Sequence, residues 1–261
     1  VDGAAYWMSD NGFFRYTGRL ESMDCLVEDY VFDDLNTTSN ELIYCGINNL
    51  FGEITWFYPT SNSNVIDRAV TYSYLDSTRE RPIWFTNASS IFPRTTWEDS
   101  AVFGLPHATA YDASTDTCPT VGNTDGTTIY YEHETGVNYV KGGTSYAVPA
   151  SITSGDYDIT QKVVKGAATN MADLRGDGES IMRVSRIIPD FVSQTGNAII
   201  QLDLRDYPND TAASSPLGPF TLTSITTKVD TRARARAVAL TISNTAVDSS
   251  WKLGTFRLDI Q

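Results

Sequence analysis

The sequence predicts an all-β protein, with a propeller-like first part followed by an antiparallel β-sandwich-type domain. Apolar and polar residues alternate in short runs, at residues 53–58, 69–74, 127–131, 198–204 and 220–226. Successive strand side chains point to opposite faces, so such alternation marks half-buried strands. Gly, Asn, Asp, Ser and Pro bound the runs, as turns between many short strands require. Helical periodicity is nearly absent, and the one candidate is an acidic turn around residues 29–35.

Taken in order, Tyr6-Trp7-Met8 and Phe13-Phe14-Arg15-Tyr16 flank Asp10-Asn11-Gly12, a hairpin signal. Asp125-Gly126 sets up a second turn before residues 127–131. Trp7, Trp56 and Trp97 are spaced by 49 and 41 residues, the length of a four-stranded propeller blade. Residues 1–145 then hold about three blades. Lys141-Gly142-Gly143-Thr144-Ser145 marks a domain boundary, and residues 146–261 form the sandwich. Two polar loops interrupt it, at residues 166–179 and 208–219. Residues 229–242 read as one strand. Its first face is Arg232, Arg234, Arg236, Val238, Leu240, Ile242, charged at one end and apolar at the other. Its second face is almost pure alanine, which lets another layer pack close. Because the chain opens almost at once on a strand, it is expected to be the C-terminal portion of a longer polypeptide.

Charge is segregated. Residues 1–150 carry 20 Asp/Glu against 7 Lys/Arg, whereas residues 151–261 carry 12 of each. An acidic surface does not gain affinity for DNA by neutralising phosphates, but an acidic lumen would let a duplex slide without sticking. No run approaches the about twenty apolar residues that span a bilayer, and no signal-peptide pattern is present. Cys25, Cys45 and Cys118 are too few and too scattered for a disulfide framework or a C-x-x-C site. They read as buried free thiols.

Candidate chemistry is sparse. Neither His107 nor His133 lies near a nucleophile elbow. No carboxylate pair stands out for glycoside hydrolysis. The stretch Asp173-Leu174-Arg175-Gly176-Asp177-Gly178-Glu179 has calcium-type donors without the EF-hand order, and its Arg-Gly-Asp triplet arises often by chance. Sequons at Asn36, Asn87 and Asn209 are coincidental in an Asn- and Thr-rich chain. The aromatic group Trp56, Phe57, Tyr58, Tyr72, Tyr74 and Trp84 reads as core. No catalytic, metal or cofactor-binding residue is assigned, and no cofactor is expected. The pattern points to a structural or binding part, not an enzyme.

Three segments carry a family resemblance. They are Phe51-Gly52-Glu53-Ile54-Thr55-Trp56-Phe57-Tyr58-Pro59 running to Asp67-Arg68-Ala69-Val70-Thr71-Tyr72-Ser73-Tyr74, then Arg186-Ile187-Ile188-Pro189-Asp190-Phe191, and the last thirty residues. Together they resemble the packaged-DNA stabilisation or tail-nozzle proteins of short-tailed bacteriophages. The chain departs from that pattern with Ala235 in place of a glycine, Lys252 in place of an arginine, and an end at Gln261 before a short basic tail. The resemblance implies a propeller-like body and a homo-oligomeric ring, a hexamer, below the portal and head-to-tail adaptor proteins. Such a ring retains packaged DNA and opens at ejection. DNA passes through it without specific binding. A tail needle or tailspike is a further implied neighbour. Assembly would take place in the host cytoplasm, the final location would be the virion tail, and no membrane is involved. Arg232, Arg234 and Arg236, with Trp251 and Arg257, are the candidate interface residues. Two alternatives stand beside this reading, a glycan- or receptor-binding propeller and a glycoside hydrolase.

Overall fold

Alternation in the sequence becomes antiparallel pairing throughout. The computed structural model describes residues 1, 3–87, 94–111, 128–141, 143–158, 180–207 and 216–260. The chain divides into two compact units, Val1–Thr135 and Gly136–Gln261. The first carries 20 Asp/Glu and 6 Lys/Arg, a net of −14; the second carries 12 and 13, a net of +1. No helix among the described residues is long and apolar enough to cross a membrane.

The first unit is three antiparallel meanders in chain order. One is β1 (Ala5–Ser9), β2 (Gly12–Tyr16) and β3 (Leu20–Met23). The next is β4 (Tyr44–Asn48), β5 (Glu53–Tyr58), β6 (Arg68–Ser73) and β7 (Trp84–Asn87). The last is β8 (Thr96–Glu98), β9 (His107–Tyr111) and β10 (Thr128–Glu132), with β9 in the middle. Ser9 pairs with Gly12, so Asp10 and Asn11 form the two-residue turn that the sequence marks. The expected acidic turn is α1 (Glu28–Phe32), where Glu28 and Asp29 suit the positive N-terminal end and Val31 is buried. A 3₁₀ helix, Thr37–Leu42, follows it. Asn36 caps that helix: its Oδ1 accepts from the Thr38 amide at 3.0 Å and its Nδ2 donates to the Ser63 carbonyl at 2.8 Å. A buried cap is a poor glycan acceptor, so the Asn36 sequon is structural.

The core of this unit is aromatic. Phe13, Ile54, Trp56, Tyr58, Val70 and Tyr72 are buried together with Val31 and Leu35. Phe13 meets Trp84 at 4.7 Å and Trp56 at 4.9 Å between ring centres. The opposite side of β5 is covered as well, with Phe57 lying 6.0 Å from Trp97. Trp97 also ties β8 to β4: its indole donates to the Ile47 carbonyl at 2.7 Å, and its carbonyl accepts from the Tyr44 hydroxyl at 2.6 Å. Gly46 makes this approach possible, because a Cβ there would lie 2.6 Å from the Trp97 ring. The tryptophan spacing is not a structural repeat. Trp7 is 37% exposed on a first strand, Trp56 is buried on a second strand, and Trp97 is on a first strand.

The second unit starts with the hairpin β11 (Asn138–Lys141) and β12 (Thr144–Ala147). Lys141 and Thr144, expected at a domain boundary, pair within that hairpin. Then come two facing layers. One sheet has the order β13 (Ala150–Thr153), β19 (Ala237–Asn244), β16 (Ala198–Arg205), β17 (Leu217–Leu222). The other is β18 (Val229–Ala235), β14 (Met182–Ile188), β21 (Arg257–Ile260). A small ribbon joins β15 (Phe191–Thr195) to β20 (Ser250–Leu253). The two sheets share one aliphatic core that includes Met182, Val184, Ile187, Ile200, Leu202, Val238, Leu240 and Ile242, the arrangement of a sandwich. β17 stops at Leu222, short of the expected residue 226, because Thr223 to Thr226 close a turn with a 3.0 Å backbone bond.

The expected single strand over residues 229–242 is two strands. It breaks at Arg236, whose amide bonds to the Arg205 carbonyl at 3.0 Å. Before the break Thr231, Ala233 and Ala235 face the core; after it Val238, Leu240 and Ile242 do. The chain leaves one sheet for the other there, and a one-residue break exchanges the faces. The arginines and the aliphatics therefore never share a face. Cys45, expected to be buried, is exposed on the sheet-edge strand β4, and Cys25 is half-buried. Cys118, the Asp125-Gly126 turn, the calcium-type and Arg-Gly-Asp stretch and the Asn209 sequon lie outside the described residues.

Candidate functional site

A strongly basic surface of the second unit is built by strand register. Arg183 pairs with Arg234, flanked by Met182 opposite Ala235 and Val184 opposite Ala233. The apolar partners point inward and are at most 2% exposed. The arginines must then point outward, and Arg183, Arg232 and Arg234 are exposed. On the other edge Ile188 pairs with Arg257 and Arg186 with Asp259. The outward face of this sheet thus gathers Arg183, Arg186, Arg232, Arg234 and Arg257 with Lys228, against Asp230 and Asp259. Six cations face two anions, on a chain whose net charge is −13.

The two ends of the face differ. At one, the Arg186 guanidinium binds Asp230 at 2.8 Å and Asp259 at 3.4 Å, and Lys228 binds Asp230 at 2.8 Å. Lys228 and Arg186 hold the Asp230 carboxyl below the usual carboxylate range, and Asp230 in turn raises Arg186. At the other end, Arg183, Arg232 and Arg234 make no ion pair among the described residues. Arg183 stands directly across from Arg234, and like charges in that relation destabilise a sheet.

Of the residues singled out in the sequence, Arg232, Arg234 and Arg257 come together on this face. Arg236 sits at the break between strands and is half-buried. Trp251 belongs to the β15–β20 ribbon, packs against the core, and donates its indole N–H to Asn244 at 3.0 Å. Arg183 and Arg186 complete the face without having been expected there. The alternation Met182, Val184 against Arg183, Ser185 is the local signal that marks Arg183; Arg186 has the inward parity of Met182 and Val184 and reaches the outer face through the bulge between Val184 and Arg186.

The histidines of the first unit are held in packing roles. Arg94, 3% exposed, donates through Nε to His133 Nε2 at 3.0 Å and lies 4.2 Å from the centre of the Tyr131 ring. His133 packs on Trp97 at 4.5 Å. Burial, helped by Arg94, lowers His133 to about 4, so it is neutral near pH 7 and its Nε2 accepts the hydrogen bond from the arginine. His107 stacks on Tyr130, whose hydroxyl bonds its Nδ1. No group of three or more His, Cys, Asp or Glu side chains placed to hold a metal ion occurs among the described residues. No protein-family model matches the chain, and no curated protein does.

Proposed function

We propose that this chain is a structural component of a short-tailed phage tail, a nozzle subunit that closes into a ring around the DNA channel. The observation that carries the reading is the outward arginine face of the β18–β14–β21 sheet. Isolated, that face holds Arg183 against Arg234 at a cost. An acidic surface on a neighbouring copy would relieve it, and the first unit, at −14, supplies such surface. A basic patch on one side of a subunit and an acidic one elsewhere make a heterologous contact, the kind that closes rings. Arginine suits it through bidentate bonds to carboxylates.

The three consecutive meanders support a propeller-like body for the first unit, with each meander a blade. The resemblance of residues 51–74, 186–191 and 229–261 to tail-nozzle proteins supports the placement in a tail, six copies, an adaptor neighbour and a role in retaining and releasing DNA.

Native mass spectrometry of the full chain tests the ring. A closed oligomer of one copy number is expected for the protein, and monomers for Arg232→Ser/Arg234→Ser with an unchanged circular dichroism spectrum. Because opposite charges meet at the contact, raising salt should shift the population toward monomer. A protein that stays monomeric at every concentration and low salt would refute the reading.

A further inference from the structure

The first unit has only six cationic residues, and three of them, Arg15, Arg19 and Arg79, line one cleft of about 360 Å³. Pockets for small ligands begin near that size. In a unit of net charge −14, such a gathering is the reverse of what a uniform acidic surface gives.

The cleft is built from three places in the chain. Arg15 lies on β2 directly across from Glu21 on β3, and the two are joined at 2.5 Å. Glu21 is thereby held below the usual carboxylate range, with Arg79 and Arg19 adding to the effect. Arg15 is thus fixed and largely neutralised, and its buried Nε has no hydrogen-bond partner. Arg19 closes the turn between β2 and β3, where its carbonyl accepts from Thr17 at 3.3 Å. Arg79 stands at the tip of a turn closed by reciprocal Thr78–Arg81 backbone bonds of 3.1 Å, with the Thr78 hydroxyl accepting from the Arg81 amide at the same distance. The side chains of Arg19 and Arg79 have no hydrogen bond or ion pair among the described residues. Leu20, Met23, Tyr72 and Pro82 give the cleft an apolar wall. Asp24 is the remaining anion at its lining, so two free guanidiniums face one carboxylate.

We propose that this cleft binds a small molecule through an oxyanion, a carboxylate or a phosphate, held between Arg19 and Arg79, with the organic part against Leu20, Met23 and Pro82. A planar guanidinium matches either group through paired N–H donors. The acidic field of the rest of the unit disfavours loosely held anions, so affinity depends on these two arginines acting together. The proposal is independent of ring formation.

The test is titration of the full chain, followed by the side-chain Nε–H signals of its arginines in nuclear magnetic resonance. Inorganic phosphate and glucuronate are the two probes, and sodium chloride of equal ionic strength is the reference. At least one probe is expected to give saturable shifts at Arg15, Arg19 and Arg79, while Arg68 stays still. The probe that saturates at the lower concentration identifies the group. Arg19→Ala/Arg79→Ala should weaken that probe roughly tenfold or more, as loss of charge-assisted bonds implies. Both residues are exposed in turns, and an unchanged backbone spectrum verifies folding; Arg79→Lys, which keeps the charge and loses the fork, should fall between. Shifts that stay linear for both probes, shifts equalled by chloride, or undiminished binding in the double variant would each overturn the proposal.

Discussion

The first unit is packed with rings, and the second with branched aliphatics and alanine. Phe13, Trp56, Tyr58, Tyr72 and Trp84 hold the meanders of residues 1–135. Isoleucine, leucine and valine, with Ala233 and Ala235, fill the sandwich. The first unit is built of separate meanders, and large rigid rings fill the space between them with few side chains. Two sheets facing each other leave a flat gap of nearly constant depth, which aliphatic side chains interdigitate across and alanine narrows. The units also treat cations in opposite ways. The first buries Arg94 against His133 and Tyr131, whereas the second sets Arg183, Arg232 and Arg234 on the outside.

Four experiments break or sharpen this contrast. Trp56→Ala should have the largest effect, about 3–5 kcal/mol of stability, read from urea unfolding by near-ultraviolet circular dichroism. A loss near zero would mean that the rings are filler and not the frame.

Acid should come next. His133 is held at about 4 when folded, against about 6.5 when unfolded. The unfolded chain binds the proton more readily, so this contribution is complete above pH 6.5 and disappears as the pH falls toward 4. Its full size is about 3 kcal/mol. His133→Gln should flatten the stability–pH curve in that window, and an unchanged slope would assign the acid sensitivity to other groups.

Ala233→Leu tests the narrow gap of the sandwich. Added methyl groups should cost about 1–3 kcal/mol, measured as a lowered unfolding midpoint. The smallest effect, and the only one of opposite sign, belongs to Arg234→Glu. Turning the Arg183 pair from repulsive to attractive should stabilise the subunit by about 0.2–1 kcal/mol. The same change should abolish the proposed ring in native mass spectrometry. A variant that is both less stable and still assembled would break the link between the arginine face and assembly.

Much of the fold was legible from alternation. β5, β6 and β16 lie within one residue of their expected limits, and the Asp10-Asn11 turn is where its residues place it. The parity change at Arg236 was not legible, because Arg-Ala-Arg-Ala continues through it without a glycine or proline to mark the bend. Nor was the pairing of Arg183 with Arg234, since register between segments 51 residues apart is absent from any local period. The cleft of Arg15, Arg19 and Arg79 was hidden for the same reason. Composition registered three arginines in an acidic stretch, and only the packing of β2 and β3 beside the turn after β6 made them neighbours. Asn36 shows the converse. Its sequon was visible, but its burial as a helix cap was not.

The arginines of β18 have one more consequence. Among the described residues β18 lies at the margin of its three-stranded sheet, and the backbone N–H and C=O groups of a sheet edge accept extended segments. An uninterrupted apolar margin there would template fibres. Arg232 and Arg234 place a positive charge at every second residue along it, so a second β18 approaching side by side would bring its own arginines against them. Strand-to-strand zippering between copies of the chain is therefore discouraged along this margin.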